Sequence, residues 1–262
     1  MSRSSILPPG TSRRALAAVA LVLLGAGVLL GCGRGTVVGR QYDNLTAYYN
    51  TFYNATQAFE KGLASINRSS ENIDRTQYIS VFPNPQAGSG GSGFEDAIQK
   101  SADLLRQHPE SKWVDDALLI IGRSRYYQQN YAGAAQKFRE VIALETEREG
   151  EARFRLVQTL VAADRGAAAA KALRLALEGD RDYEGDWTAR MRLVQGELFV
   201  RQEQWADAER ALASGVDGPL PDRAGARGAF LLGQVRETLE DRAGAQAAYE
   251  QVLDYAPRYP LE

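Results

Sequence analysis

The chain has a single cysteine, Cys32, and a single histidine, His108, the two side chains on which thiolate or imidazole chemistry would rest. A lone histidine with no cysteine beside it and no acidic partner motif cannot build a metal shell. His108 stands in Gln107-His108-Pro109, where a predicted helix ends, and reads as a capping or surface residue. Gly33-Arg34-Gly35 and the run from Gly88 to Gly93 are rich in glycine. Both lack the Lys-Ser/Thr ending and the strand-to-helix setting of a phosphate cradle. No nucleophile, base and orienting group can be assembled. The sequence therefore predicts no enzyme, no metal site, no cofactor and no small-molecule substrate.

Cys32 closes an unbroken apolar run. Arg3, Arg13 and Arg14 precede it, Ala15 to Leu30 contains no polar side chain, and Leu29-Leu30-Gly31-Cys32 ends it. A basic start, an apolar middle and small residues at the end describe a secretory signal. Its sixteen residues, at about 1.5 Å each, fall short of the roughly 20 that cross a hydrocarbon core. Leu-Leu-Gly-Cys resembles a bacterial lipobox. The resemblance implies that residues 1–31 are cut away and that acyl chains on Cys32 anchor the protein to the membrane. Gly33 and Arg34 follow, in place of the acidic residues that retain such lipoproteins at the inner membrane. The implied location is the periplasmic face of the outer membrane.

Removal of residues 1–31 takes away three arginines and no acid, so 31 basic side chains become 28 against 33 acidic. This balance predicts no nucleic-acid partner and no binding to an anionic bilayer by charge, since both need a basic footprint. With one cysteine there is no disulfide within the chain, so packing alone must hold the fold.

The elements that must do this packing repeat. Alanines open short amphipathic segments at Ala97, Ala134, Ala170, Ala208 and Ala245, at intervals of 37, 36, 38 and 37 residues. Twelve residues before the last four stand Gly122, Gln158, Gly196 and Gly233. Four residues after, Phe138, Leu212 and Tyr249 supply bulk, whereas the third unit has Arg174. Pro109 and Pro257 each follow their alanine by twelve, where a second helix should stop. Helices are predicted at 113–129, 131–147, 150–163, 166–178, 186–203, 205–214, 223–240 and 242–255.

This order of Gly, Ala, aromatic and Pro resembles the tetratricopeptide repeat, with Leu232-Gly233 through Ala245, Tyr249 and Pro257 as the fullest match. The predicted fold is all-α, a right-handed tetratricopeptide-type solenoid of about five helix pairs. Gly and Ala then lie where paired helices cross most closely. In this superfamily, ligands lie against the first helix of each pair, one turn on either side of the Gly. That spacing nominates Asp116, Arg123, Tyr126 and Tyr127 in the second unit, Arg190 and Glu197 in the fourth, and Arg227 and Gln234 in the fifth. Arginines placed there can grip carboxylates bidentately.

The first unit differs. Leu45, Tyr49, Phe52, Thr56, Phe59, Leu63 and Ile66 draw one stripe on a long predicted helix. Tyr48 and Tyr53 fall off that stripe and are expected to expose ring surface to a partner. The partner helix, from Phe94 to Gln107, comes only after a Ser-, Asn- and Gly-rich insertion. Within the insertion, Tyr78-Ile79-Ser80-Val81-Phe82-Pro83 is apolar enough to dock, with the groove as one candidate place. The expected organisation is a lipoprotein signal over 1–31, a lipidated tether over 32–41, a first helical pair over 42–110 with a mobile Gly/Ser-rich insertion at 67–93, and four repeat units over 111–258. No helix is predicted after the last unit, so its apolar outer face should be covered by a partner or a second copy, or the natural chain should continue.

A closer resemblance rests on two segments. Tyr42-Asp43-Asn44-Leu45-Thr46-Ala47-Tyr48-Tyr49-Asn50 with Phe52-Tyr53-Asn54, and Lys112-Trp113-Val114-Asp115-Asp116-Ala117-Leu118-Leu119-Ile120-Ile121-Gly122, look like the N-terminal region of the SprE/PorW lipoproteins of type IX secretion and gliding. Those proteins are much longer. The overall plan of signal, lipobox and about five repeat units instead resembles BamD, of the outer-membrane β-barrel assembly machinery. Either resemblance implies a periplasmic scaffold whose partners are envelope proteins or peptide segments.

Overall fold

Ala-, Leu-, Glu- and Arg-rich stretches alternate with short polar breaks, and each stretch is a helix in the structure, a computed structural model that describes residues 41, 44, 47, 51–66, 76–85, 91–178 and 183–255. The helices are α1 Tyr53–Ser65, α2 Gly91–Gln107, α3 Val114–Tyr127, α4 Tyr131–Ile142, α5 Glu149–Ala162, α6 Gly166–Leu177, α7 Trp187–Arg201, α8 Trp205–Val216, α9 Asp222–Thr238 and α10 Arg242–Tyr255. These ten helices, with no strand among the described residues, form the expected all-helical solenoid of five pairs. Consecutive helices pack together, and the first helix of each pair also touches the first helix of the next. That inner row, α1, α3, α5, α7 and α9, lines one side of the array.

The pairs close on small residues. Ala134, Ala208 and Ala245 are buried, and a methyl group built on Gly122, Gly196 or Gly233 would lie 2.6, 2.4 or 2.3 Å from Phe138, Leu212 or Tyr249. Those distances leave no room for a side chain on the first helix. In the first pair Gly62 meets Phe94 in the same way, but Phe94 stands three residues before Ala97 rather than four after it.

The third unit corrects the predicted register by one residue. Ala170 is exposed, and the fully buried alanine is Ala169, with Leu173 four residues later, 2% exposed, and Val157 twelve before, 1% exposed. Arg174, expected at the bulky position, lies at the surface beside Glu178. The physical reason is in the turns. Gln129, Asp164, Glu203 and Glu240 all have left-handed backbone, with φ from 55° to 61°. Each stands five residues before the buried alanine of its unit. The N–H groups of Asn130, Arg165, Gln204 and Asp241 then donate to Arg125, Leu160, Phe199 and Arg236 carbonyls at 2.8–2.9 Å, closing each first helix with a six-to-one bond. The turn thus fixes where the alanine falls. Asn130 and Asp241 also cap α4 and α10, accepting from the N–H groups of Gly133 and Gly244 at 3.0 Å.

Other expectations shift. The predicted helix over 131–147 ends at Ile142, because Glu145 turns left-handed with φ 52°. Gly91 to Gly93, placed in the mobile insertion, belong to α2. A methyl on Gly93 would lie 2.5 Å from the Gly62 nitrogen, so the glycine permits close packing of α2 on α1. On α1 the buried face is Ala55, Ala58, Phe59 and Gly62, while Phe52, Thr56 and Leu63 of the predicted stripe sit half-buried at its edge. Ala55, Ala58 and Gly62 leave room for the close approach, with Phe59 buried among them. The outer face of α10 exposes Arg242, Gln246, Glu250 and Asp254, with Leu253 as its one large apolar side chain among the described residues. Polar side chains and the 66% exposed Leu253 thus share this face.

Two substitutions test this account in opposite directions. Glu203→Gly relieves a left-handed non-glycine residue and should stabilise by about 1 kcal/mol, raising Tm by roughly 2–4 °C. Gly196→Ala forces a methyl into Leu212 and should cost about 1–3 kcal/mol. Thermal denaturation followed by circular dichroism measures both.

Candidate functional site

The inner row of helices lines a groove, and part of the chain lies in it. Residues 76–85, from the insertion between α1 and α2, run without helix or strand across α7 and α9. The Gln234 side chain makes two bonds to this segment. Its Oε1 accepts from the Ile79 N–H at 3.2 Å, and its Nε2 donates to the Gln77 carbonyl at 2.7 Å. Arg227 Nε donates to the Ser80 carbonyl at 2.7 Å. Glu197 Oε1 accepts from the Val81 N–H. Farther along, Gln129 Nε2 donates to the Pro85 carbonyl at 3.0 Å.

Side chains of the segment alternate as in a strand. Ile79 and Val81 point into the core formed with Leu193, Val200, Leu231 and Val235, at 8% and 2% exposure. Tyr78 packs its ring 5.3 Å from Trp205, and its hydroxyl shares a hydrogen bond of 2.7 Å with Thr238. Phe82 meets Phe154 edge-on at 5.0 Å. Past Phe82, a cavity of about 320 Å³ remains between the segment and Tyr126, Tyr127, Arg155, Gln158 and Arg190.

The nominated residues divide into two groups. Glu197, Arg227 and Gln234 converge on the segment. Those of the second unit and Arg190 are bound up with neighbouring helices. Asp116 pairs with Arg148 at 2.8 Å. Arg123 lies over the Phe59 ring at 4.5 Å and is 3.9 Å from Glu151. Tyr127 stacks on Phe94 at 5.2 Å. Tyr126 is 4% exposed, and its buried hydroxyl lacks a hydrogen-bond partner. Arg190 donates to Asp186 at 2.6 Å and covers Trp187 and Phe154. Tyr53 is 48% exposed. Cys32 and Tyr48 lie outside the described residues, as does the signal segment.

With the third unit in its corrected register, Glu151 and Gln158 occupy the positions that Arg190 and Glu197 occupy in the fourth. Repeat spacing missed them because it sets that unit one residue late. The left-handed turn at Asp164 is the signal that locates them.

Burial governs the electrostatics. The Glu197 carboxyl is pushed above the usual range by burial, opposed by hydrogen bonds from the Val81 and Phe82 N–H groups and the Ser80 hydroxyl. Burial raises Asp116 to about 6 against the attraction of Arg148. Arg123 is lowered, first by burial and then by Arg155. Burial also raises the Tyr126 hydroxyl. Among the described residues no cluster of His, Cys, Asp and Glu can hold a metal ion, and no helix is long and apolar enough to cross a membrane. The donors and acceptors in the groove are arranged to satisfy the main chain of an extended peptide.

No protein-family model matches the sequence, and neither does any curated protein. Among solved structures the chain is similar to MamA, with 18% identity and a TM-score of 0.49 over 64% of this chain and 91% of that one. It is similar to MamA from Desulfovibrio magneticus RS-1, at 18% identity and a TM-score of 0.48 over 64% and 88%. A further likeness is to YrrB, described as a TPR protein with an unusual peptide-binding site, at 18% identity and a TM-score of 0.44 over 64% and 80%.

Asp116 gives a pH test. A carboxyl whose folded pKa is raised is protonated more readily in the folded state, so stability is lost as pH climbs from about 4 to about 6. Asp116→Asn lacks this loss. Each tenfold difference in proton affinity between folded and unfolded states is worth about 1.36 kcal/mol, so relative to wild type the variant should gain about 3 kcal/mol across that window. Paired urea unfolding at pH 4 and pH 7 measures the difference, and equal gaps at both values would refute it.

Proposed function

We propose that this protein is a non-catalytic scaffold that binds extended segments of envelope proteins in its inner groove. The observation that carries the reading is the hydrogen bonding of Gln234, Arg227 and Glu197 to the main chain of Gln77–Val81. Side chains that bind backbone accept many sequences, as a scaffold requires, and the alternate pockets for Ile79 and Val81 add selectivity. The anchor is Cys32, lipidated after removal of residues 1–31, on the periplasmic face of the outer membrane.

Within the envelope, the reading is a role beside type IX secretion and gliding, of the SprE/PorW kind. The two segments behind that resemblance meet in space. Asn44 Oδ1 accepts from the Lys112 N–H at 3.0 Å, the Trp113 indole donates to the Asn44 carbonyl at 3.2 Å, and Phe52 stacks on Trp113 at 4.6 Å. Shared residues in both segments would preserve this one contact, which sets how the first pair joins the second. The alternative is a BamD-like role in β-barrel assembly, favoured by the count of five pairs behind a lipobox.

Cross-linking mass spectrometry in intact cells separates the readings. Links to secretion and gliding components support the first, and links to an outer-membrane barrel and its accessory proteins support the second. Cys32→Ser should release the protein from lipid or leave the precursor uncleaved. A processed and membrane-bound Cys32→Ser protein would overturn the anchor. A stable monomer with no cross-linked envelope partner would overturn the scaffold.

A further inference from the structure

The segment in the groove has the chemistry of a ligand more than that of a core element. From Thr76 to Pro85 it carries no charge. It buries two side chains fully, Ile79 and Val81, while Thr76, Gln77, Tyr78 and Asn84 are exposed. It shares no backbone ladder with the helices. Its main-chain bonds are made by side chains of α7 and α9 and by Gln129. The helix pairs close on their own Gly and Ala contacts without it.

The segment also leaves part of the groove unfilled. The cavity beyond Phe82 and Pro83 is lined by Tyr126, Gln158 and Arg190. Tyr126, 4% exposed, holds a buried hydroxyl without a partner. A ligand shifts an equilibrium only by contacts that the competing state lacks, and the unfilled lining of this cavity offers such contacts.

We propose that Gln77–Pro85 is a built-in occupant of the groove, exchanged for a partner segment of the same chemistry. That partner is extended, with two aliphatic residues flanking a small one, then an aromatic and a proline, and a further residue that fills the cavity beside Gln158 and Arg190. The inference rests on the peptide-binding reading above and adds what the peptide is and what it must displace. Joined to the groove at both ends, the occupant competes at an effective concentration on the order of millimolar. The apparent affinity for a partner falls by the fraction of molecules whose groove is open.

The test uses the Cys32→Ser protein without residues 1–31 and a labelled peptide with the sequence of Thr76–Pro85, acetylated and amidated, in fluorescence anisotropy titrations. Two variants empty the groove. One replaces residues 76–85 by Gly and Ser at equal length, and the other is Val81→Asp, which sets a carboxylate beside Glu197 at a 2% exposed position. Each should bind the peptide at least tenfold more tightly than the unaltered groove. Adding Glu197→Ala and Gln234→Ala should remove that gain. Equal affinity with and without the resident segment overturns the proposal. So does loss of the helical circular dichroism signal in both variants, because the segment is then part of the core. Peptide binding to an emptied groove with no envelope partner cross-linked in cells would sink the scaffold and leave the exchange standing. Partners cross-linked equally by wild type and both variants would do the reverse.

Discussion

In each of the later pairs except the third, the two helices approach so closely that one of them carries no side chain at the crossing: Gly122 against Phe138, Gly196 against Leu212, Gly233 against Tyr249. That approach fixes how far each first helix stands from its partner and so how the first helices stack on one another. Positions six before and one after the crossing face the segment in the fifth unit, as Arg227 and Gln234 do, and Glu197 holds the second of them in the fourth. The third unit places Val157 at the crossing and keeps the same arrangement with Ala169 and Leu173, both smaller than an aromatic. Bulk can move from one helix to the other, provided the sum across the contact is kept.

The groove's polarity follows from what it holds. An extended peptide brings unpaired N–H and C=O groups into a partly buried place, and each needs a partner. Gln234 supplies a donor and an acceptor together, so it can clasp both sides of the Tyr78 backbone. Glu197 supplies acceptors alone and takes N–H groups, while Arg227 supplies donors alone and takes a carbonyl. A carboxylate buried without such donors would carry a heavy desolvation penalty. Its presence under Val81 is explained by a main chain running over it.

The sequence made the helical periods, the pair count and most helix ends legible, because Gly, Ala and bulky residues recur at fixed spacing and the turns are polar. It erred by one residue in the third unit, where Ala167 to Ala170 offer four alanines with nothing in composition to choose among them. The choice is made by the backbone at Asp164, a property of φ and not of residue type. That Glu197, Arg227 and Gln234 stand along the inner face of their helices followed from the repeat spacing together with the superfamily resemblance. That Arg123, Tyr126 and Tyr127 face the first pair or stay buried was not legible, since their rings and charges answer to Phe59 and Phe94, which come from the irregular unit. The docking of Tyr78 to Pro83 was visible as apolarity, but its place depended on side chains of α7 and α9, far along the chain.

That distance changes the physics of the array. Helical repeats are held by neighbours, so their stability is nearly a sum of local terms and their folding can start anywhere. Bonds from Ile79 to Gln234 and from Val81 to Glu197 span 155 and 116 residues and join the first unit to the fourth and fifth. Closing so long a loop is entropically costly, though the cost grows only with the logarithm of length. Contacts held by few buried side chains, here Ile79 and Val81, are among the first to open under native conditions. An element of that kind, seated in the groove, joins an otherwise local solenoid from its first unit to its last.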